Sequence, residues 1–209
     1  MMVRVKICGL TCVEDVHAAV GYGANAVGFV FEPGSPRYVG DRADVRALLQ
    51  SVPPFVVRVA VFGNLRHLPA EWWREVEAVQ FVGGESEVAL PLHLRRIRAV
   101  RLRSEKDVRQ ALRLQEEADA LLVDTYHPQK MGGTGETANW RLARLLREEA
   151  SKPLIMAGGL TPDNVVEAIA QVQPFAVDVS SGVERAPGKK DHLKIKEFLT
   201  NVRRFANGS

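Results

Sequence analysis

A single (β/α)8 barrel over residues 1–209 is the fold the sequence predicts, on three observations. Eight short apolar runs rich in Val, Ile, Leu and Phe recur at roughly 25-residue intervals, and near-continuous runs of this kind suit parallel strands buried on both faces. Eight stretches of helical character lie between them, the alternation of strand–helix units around a parallel sheet. The turn after the first run, Cys8-Gly9-Leu10-Thr11-Cys12, lacks the G-x-G-x-x-G that an open, doubly wound nucleotide-binding sheet would carry there. At 209 residues against about 250 for an average barrel, the connecting loops must be short.

The strands are read at 3–9, 26–31, 55–64, 78–83, 98–103, 120–126, 154–159 and 175–182. The helices are read at 12–22, 42–50, 68–76, 87–96, 105–118, 139–149, 162–171 and 191–204. Local signals support several of them. Ser104 ahead of Glu105-Lys106-Asp107 is an N-cap followed by acidic first-turn residues. Thr161-Pro162-Asp163-Asn164 offers Thr as a cap and Pro at the first helical position. Lys152-Pro153 marks a helix end and the approach to the next strand. Arg95, Arg96, Arg98, Arg101 and Arg103 read as a solvated helix end running into a strand, since charge runs are usually surface. Asn207-Gly208-Ser209 is expected to fray.

Composition excludes several classes. Hydrophobic residues make up 46% and charged residues 25%, ordinary values for a globular protein with its own core. No run of about 18 apolar residues spans a membrane, and the N-terminus lacks the apolar region of a signal peptide, so a cytoplasmic location is expected. The two cysteines, Cys8 and Cys12, form neither a disulfide framework nor a zinc knuckle. A net charge of +3 without interleaved aromatics argues against nucleic acid and suits a small anionic substrate.

Strand alternation then locates polar groups. In Val3-Arg4-Val5-Lys6-Ile7-Cys8 the apolar residues share the helix-facing side, so Arg4, Lys6 and Cys8 point into the barrel. In Phe175-Ala176-Val177-Asp178-Val179-Ser180 the same logic turns Asp178 and Ser180 inward. First and eighth strands are neighbours in a closed barrel, and a buried charge needs a partner, so Lys6 and Asp178 are expected to pair. Cys8 and Asp124 close the first and sixth strands at the rim where barrel active sites lie. A cation such as Lys6 would favour a Cys8 thiolate, whereas Cys12 reads as a core residue in the following helix turn. Gly158 and Gly159 end the seventh strand and Ser180, Ser181 and Gly182 the eighth, where barrels commonly bind phosphate through close-approaching backbone amides. The loop Phe31-Glu32-Pro33-Gly34-Ser35-Pro36-Arg37-Tyr38 aims Arg37 at the barrel mouth, where its fork suits a carboxylate. Met131-Gly132-Gly133-Thr134-Gly135-Glu136 reads as a lid.

Together these residues resemble the phosphoribosylanthranilate isomerase family of tryptophan biosynthesis, nearly end to end. The resemblance is carried by Lys6-Ile7-Cys8-Gly9-Leu10-Thr11, Gly28-Phe29-Val30-Phe31, Ser35-Pro36-Arg37, Val61-Phe62-Gly63-Asn64 and Leu122-Val123-Asp124. It continues through Gly132-Gly133-Thr134-Gly135, Ala157-Gly158-Gly159-Leu160, Asp178-Val179-Ser180-Ser181-Gly182-Val183-Glu184 and Pro187-Gly188-Lys189-Lys190-Asp191. One position departs: Val79-Gln80-Phe81-Val82-Gly83 has Val82 where the family usually has histidine. The resemblance implies an Amadori rearrangement of N-(5-phosphoribosyl)anthranilate without metal or cofactor, by a monomer or homodimer. It implies Asp124 as general acid, Cys8 as general base, Arg37 on the anthranilate carboxylate and the two glycine loops on the phosphate. Lys6 and Asp178 would support the site.

Two other readings compete. A sugar-phosphate epimerase would carry metal-ligating His and Asp on its strands, but His17, His67, His93, His127 and His192 all fall outside the predicted strands. An indole-glycerol-phosphate synthase would need a strand Lys–Glu set, and Lys6 is the only strand-interior Lys. A phosphosugar-binding barrel without chemistry is the non-enzyme alternative.

Overall fold

A computed structural model describes residues 2–64, 70–83, 90–124, 136–206 and 208. Eight parallel strands close into a barrel in sequence order: β1 Arg4–Cys8, β2 Ala26–Val30, β3 Val57–Asn64, β4 Ala78–Gly83, β5 Arg95–Arg101, β6 Ala120–Asp124, β7 Leu154–Ala157 and β8 Ala176–Val179. Closure comes at β1, which pairs with β2 on one side and β8 on the other and sets Lys6 level with Asp178. The helices are α1 Val13–Gly21, α2 Val45–Gln50, α3 Glu105–Leu114, α4 Glu136–Glu149, α5 Val165–Val172 and α6 His192–Ala206. A hairpin of β9 Glu184–Ala186 and β10 Lys189–Lys190 follows β8. No helix among the described residues is long and apolar enough to cross a membrane.

The strand periodicity separates two apolar layers. Ile7, Phe29, Phe81, Leu121 and Val177 pack outward against the helices. Val59, Ala78, Ile97, Ala99, Leu122 and Ile155 fill the barrel interior. Branched Val, Ile and Leu side chains alternate with Ala in this inner layer, so the barrel interior is packed, and a cavity lies at the carboxyl ends of the strands.

The predicted α3 start is present: Asp107 accepts from the N–H groups of Arg103 and Ser104 at 2.8 and 2.9 Å. Five expectations are corrected. The helix read at 87–96 is absent over its described part, because Pro91 supplies a turn carbonyl to Leu94 N–H and Arg95 already opens β5. Among the described residues of 68–76, which are 70–76, only a 3-10 turn, Ala70–Trp72, forms. Arg95, Arg96, Arg98 and Arg101 are therefore strand, not helix end, with Arg103 just beyond it; Arg98 is buried with its guanidinium 5.3 Å from the Phe81 ring centre. At α5 the residue before the helix is Asn164, whose Oδ1 accepts from Thr161 N–H, so Thr161 is not the cap. Cys12 likewise precedes α1 with extended backbone and is half-buried, not a core residue in its first turn. The expected lid at 131–136 lies outside the described residues except for Glu136, which opens α4; Asn207 and Ser209 lie outside them too.

Candidate active site

Cys8 ends β1 buried, with its neighbour across the ladder being Gly28. A Cβ built on Gly28 would stand 2.7 Å from Cys8 Sγ, so the β2 glycine makes the room that the thiol occupies. One layer below, Lys6 Nζ donates to Asp178 Oδ1 at 3.0 Å and to Gln80 Oε1 at 2.9 Å. The seam pair read from strand alternation is thus present, and Gln80 is a third member that the alternation argument did not single out. Nearly full burial makes such a pair costly to break.

A cavity of about 370 Å3 opens above this layer. Cys8, Asp124, Gly158, Gly159, Ser180, Ser181 and Gly182 all line it, as do Gln80, Val82, Arg101 and Asp178. Gly158 and Gly159 hold left-handed φ values of 85° and 67°, which favour glycine. A Cβ on Gly182 would stand 1.8 Å from the Leu160 carbonyl oxygen, so the loops after β7 and β8 touch at that glycine. Val82, at the position of the family histidine, is exposed on the rim.

Asp124 sits at the end of β6, its side chain 36% exposed, with Arg101 Nε 4.0 Å away. Neither Lys6 nor Arg37 lines the cavity: Lys6 lies beneath it, and Arg37 is reached through Gly9 and Ser180. The Arg37 stem crosses Gly9, where a Cβ would stand 2.4 Å from Arg37 Cδ. Its guanidinium donates through Nε to Glu184 Oε1 at 2.8 Å and through Nη2 to Glu184 Oε2 at 2.5 Å. Glu184 was not foreseen as a partner; the only sequence signal was its place in the Asp178–Glu184 run.

Burial pushes the Cys8 thiol up, and Asp178 adds to that; Lys6 and Lys190 pull it down without reversing the direction. The expected thiolate-favouring effect of Lys6 is therefore outweighed. Burial pulls Lys6 down, yet Asp178 and Cys8 hold its ammonium above the usual range. Burial pushes the Glu184 carboxyl up, but bonds from Arg37 and Lys190 keep it below the usual carboxylate range. Among the described residues, no group of three His, Cys, Asp or Glu side chains could hold a metal.

A thiol and a carboxyl on separate strand ends, with glycines after the seventh and eighth strands on the same cavity, give this (β/α)8 barrel two groups at its rim that are able to move protons. The chain matches the N-(5'-phosphoribosyl)anthranilate (PRA) isomerase family over residues 5–201, and it belongs to that family. The N-(5'-phosphoribosyl)anthranilate isomerase of Pseudomonas putida is 46% identical over 207 residues, covering 96% of this chain and 98% of that one. The crystal structure of the phosphoribosyl anthranilate isomerase from Thermotoga maritima is 43% identical, with a TM-score of 0.82, covering 97% and 99%. Another, in complex with reduced 1-(o-carboxyphenylamino)-1-deoxyribulose 5-phosphate, is 40% identical with a TM-score of 0.79, covering 97% and 99%.

Proposed function

We propose that this chain, acting as one barrel domain over residues 1–209, converts N-(5-phosphoribosyl)anthranilate to 1-(2-carboxyphenylamino)-1-deoxyribulose 5-phosphate. The observation that carries the reading is that Cys8 and Asp124, from β1 and β6, line one cavity together with the glycine loops after β7 and β8. Asp124 gives a proton to the ribose ring oxygen, the C1–O bond breaks, and the anthranilate nitrogen lone pair forms the Schiff base. Cys8, as thiolate, takes the C2 proton, and the electrons of that C–H bond move to make the enolamine. Tautomerisation then yields the ketone, and one proton given and one taken leave the formula unchanged. Gly158, Gly159, Ser180, Ser181 and Gly182 bind the phosphate through amides that glycine leaves uncovered. Glu184 occupies the Nε–Nη2 edge of Arg37, and a guanidinium has a second two-pronged edge for the anthranilate carboxylate. Lys6, Gln80 and Asp178 hold the barrel floor beneath the reacting carbon. Every step uses side chains of this chain, on a small-molecule substrate in the cytoplasm, by a monomer or homodimer without nucleic acid or membrane.

The test follows the loss of phosphoribosylanthranilate fluorescence with wild type, Cys8→Ala and Asp124→Asn. Wild-type turnover with both variants impaired is expected. Full activity in both variants overturns the acid and base roles, and tight phosphosugar binding without wild-type turnover favours the binding module.

A further inference from the structure

The β9–β10 hairpin buries two charges that the proposed reaction does not use as reactants. Lys190 Nζ, wholly buried, donates to Glu184 Oε1 at 2.8 Å and to the Ser180 carbonyl at 3.1 Å. The same Glu184 oxygen accepts from Arg37 Nε, and Gly188 N–H adds a bond at 3.3 Å. The hairpin itself is anchored, because Lys190 N–H donates to Asp15 Oδ2 at 3.0 Å and Asp15 Oδ1 lies 2.7 Å from His192 Nε2. A buried ion pair often stabilises no better than apolar residues of equal volume, so stability alone gives little reason for this one. Its location supplies a reason. Ser180 belongs to the β8 loop on the cavity wall, and Arg37 crosses Gly9 next to Cys8, where the same built Cβ that stands 2.4 Å from Arg37 Cδ would stand 3.0 Å from Ser180 Oγ.

We infer that Lys190 and Glu184 are positioning residues for the isomerisation: acting through the Ser180 carbonyl and the Arg37 fork, they fix the distance between the phosphate-binding loop and the carboxylate-binding arginine. The inference rests on the function proposed above, in which one substrate must span both anion sites. It gives Lys190 a second effect, since its charge also acts on Cys8. The groups facing that thiol are Lys6 from β1, Asp178 from β8, Lys190 from β10, Arg37 from the loop after β2 and, across the cavity, Asp124 from β6.

The experiment compares Lys190→Met and Glu184→Gln with wild type by circular dichroism, steady-state kinetics and the pH profile of kcat/KM. Glu184→Gln should raise KM about tenfold with kcat nearly kept, because a neutral amide releases the fork. Lys190→Met should raise KM similarly and move the rising limb of the profile to higher pH, because a positive charge that lowers the thiol is lost. A merely structural Lys190 would lower the melting temperature and leave that limb in place, which overturns the inference. Should Lys190→Met fail to fold, the near-isosteric Glu184→Gln decides, and a wild-type KM in it also overturns the inference. A wild type that turns nothing over defeats the proposed function and this inference with it; an active wild type matched by both variants defeats only the positioning role.

Discussion

On the β8–β1–β2 side of the mouth the charges are under cover: Lys6, Asp178, Glu184 and Lys190 are all at most 9% exposed, and each has a partner within 3.0 Å. On the β5–β6 side Arg101 and Asp124 stand 69% and 36% exposed, 4.0 Å apart. The difference matches the two jobs proposed. A base that must abstract a carbon-bound proton benefits from a dry, rigid setting with a fixed field. An acid that must recover its proton after each turnover benefits from contact with water. Under the proposed roles the base sits in a setting fixed by the fold, whereas the acid stands at the rim in contact with water.

The largest expected effect removes either reacting group. Cys8→Ala and Asp124→Asn should each lower kcat by about 10^2 to 10^4, the usual contribution of a positioned acid or base, with unchanged circular dichroism. Activity should also still be rising above neutral pH. Burial holds the thiol above its ordinary range, so the thiolate fraction grows as pH increases through that raised value. A kcat/KM profile already flat below neutrality would break the contrast between a buried base and an open acid.

Lys6→Met tests the covered side by stability. It leaves Asp178 buried without its cation, and removing one member of such a pair costs about 3–5 kcal/mol. Adding Asp178→Leu should recover most of that in a denaturant titration, because the unpaired charge disappears. A double variant no more stable than Lys6→Met would show that Gln80 and the barrel packing, not the charge pair, set the cost.

How much of this was legible in the sequence follows the same divide. Period-two alternation placed Lys6, Cys8 and Asp178 inside the barrel, and closure made the first and last strands neighbours, so the seam pair could be read before any coordinates. The glycines after β7 and β8 were legible because positive φ at Gly158 and Gly159 and close approach at Gly182 leave glycine little competition. Arg95–Arg101 misled because β5 carries arginine on both of its faces, and Arg98 is buried under the outer layer against Phe81, so charge did not mark solvent. Glu184 and Lys190 were out of reach for another reason. Their hairpin is short, and its partners Asp15, Arg37 and Ser180 are brought together by the fold, with no periodic pattern to announce them.

Arg101→Ala gives the smallest effect and the sharpest check on the open side. An exposed pair at 4.0 Å is worth about 0–1 kcal/mol, so the melting temperature should barely move. Its effect on activity should also be modest, a factor of a few, and should shrink as salt is raised, because solvent and ions screen exposed charges. A large loss of kcat that persists at high salt would instead mean that Arg101 touches the substrate, and the open side would then be as organised for binding as the covered one.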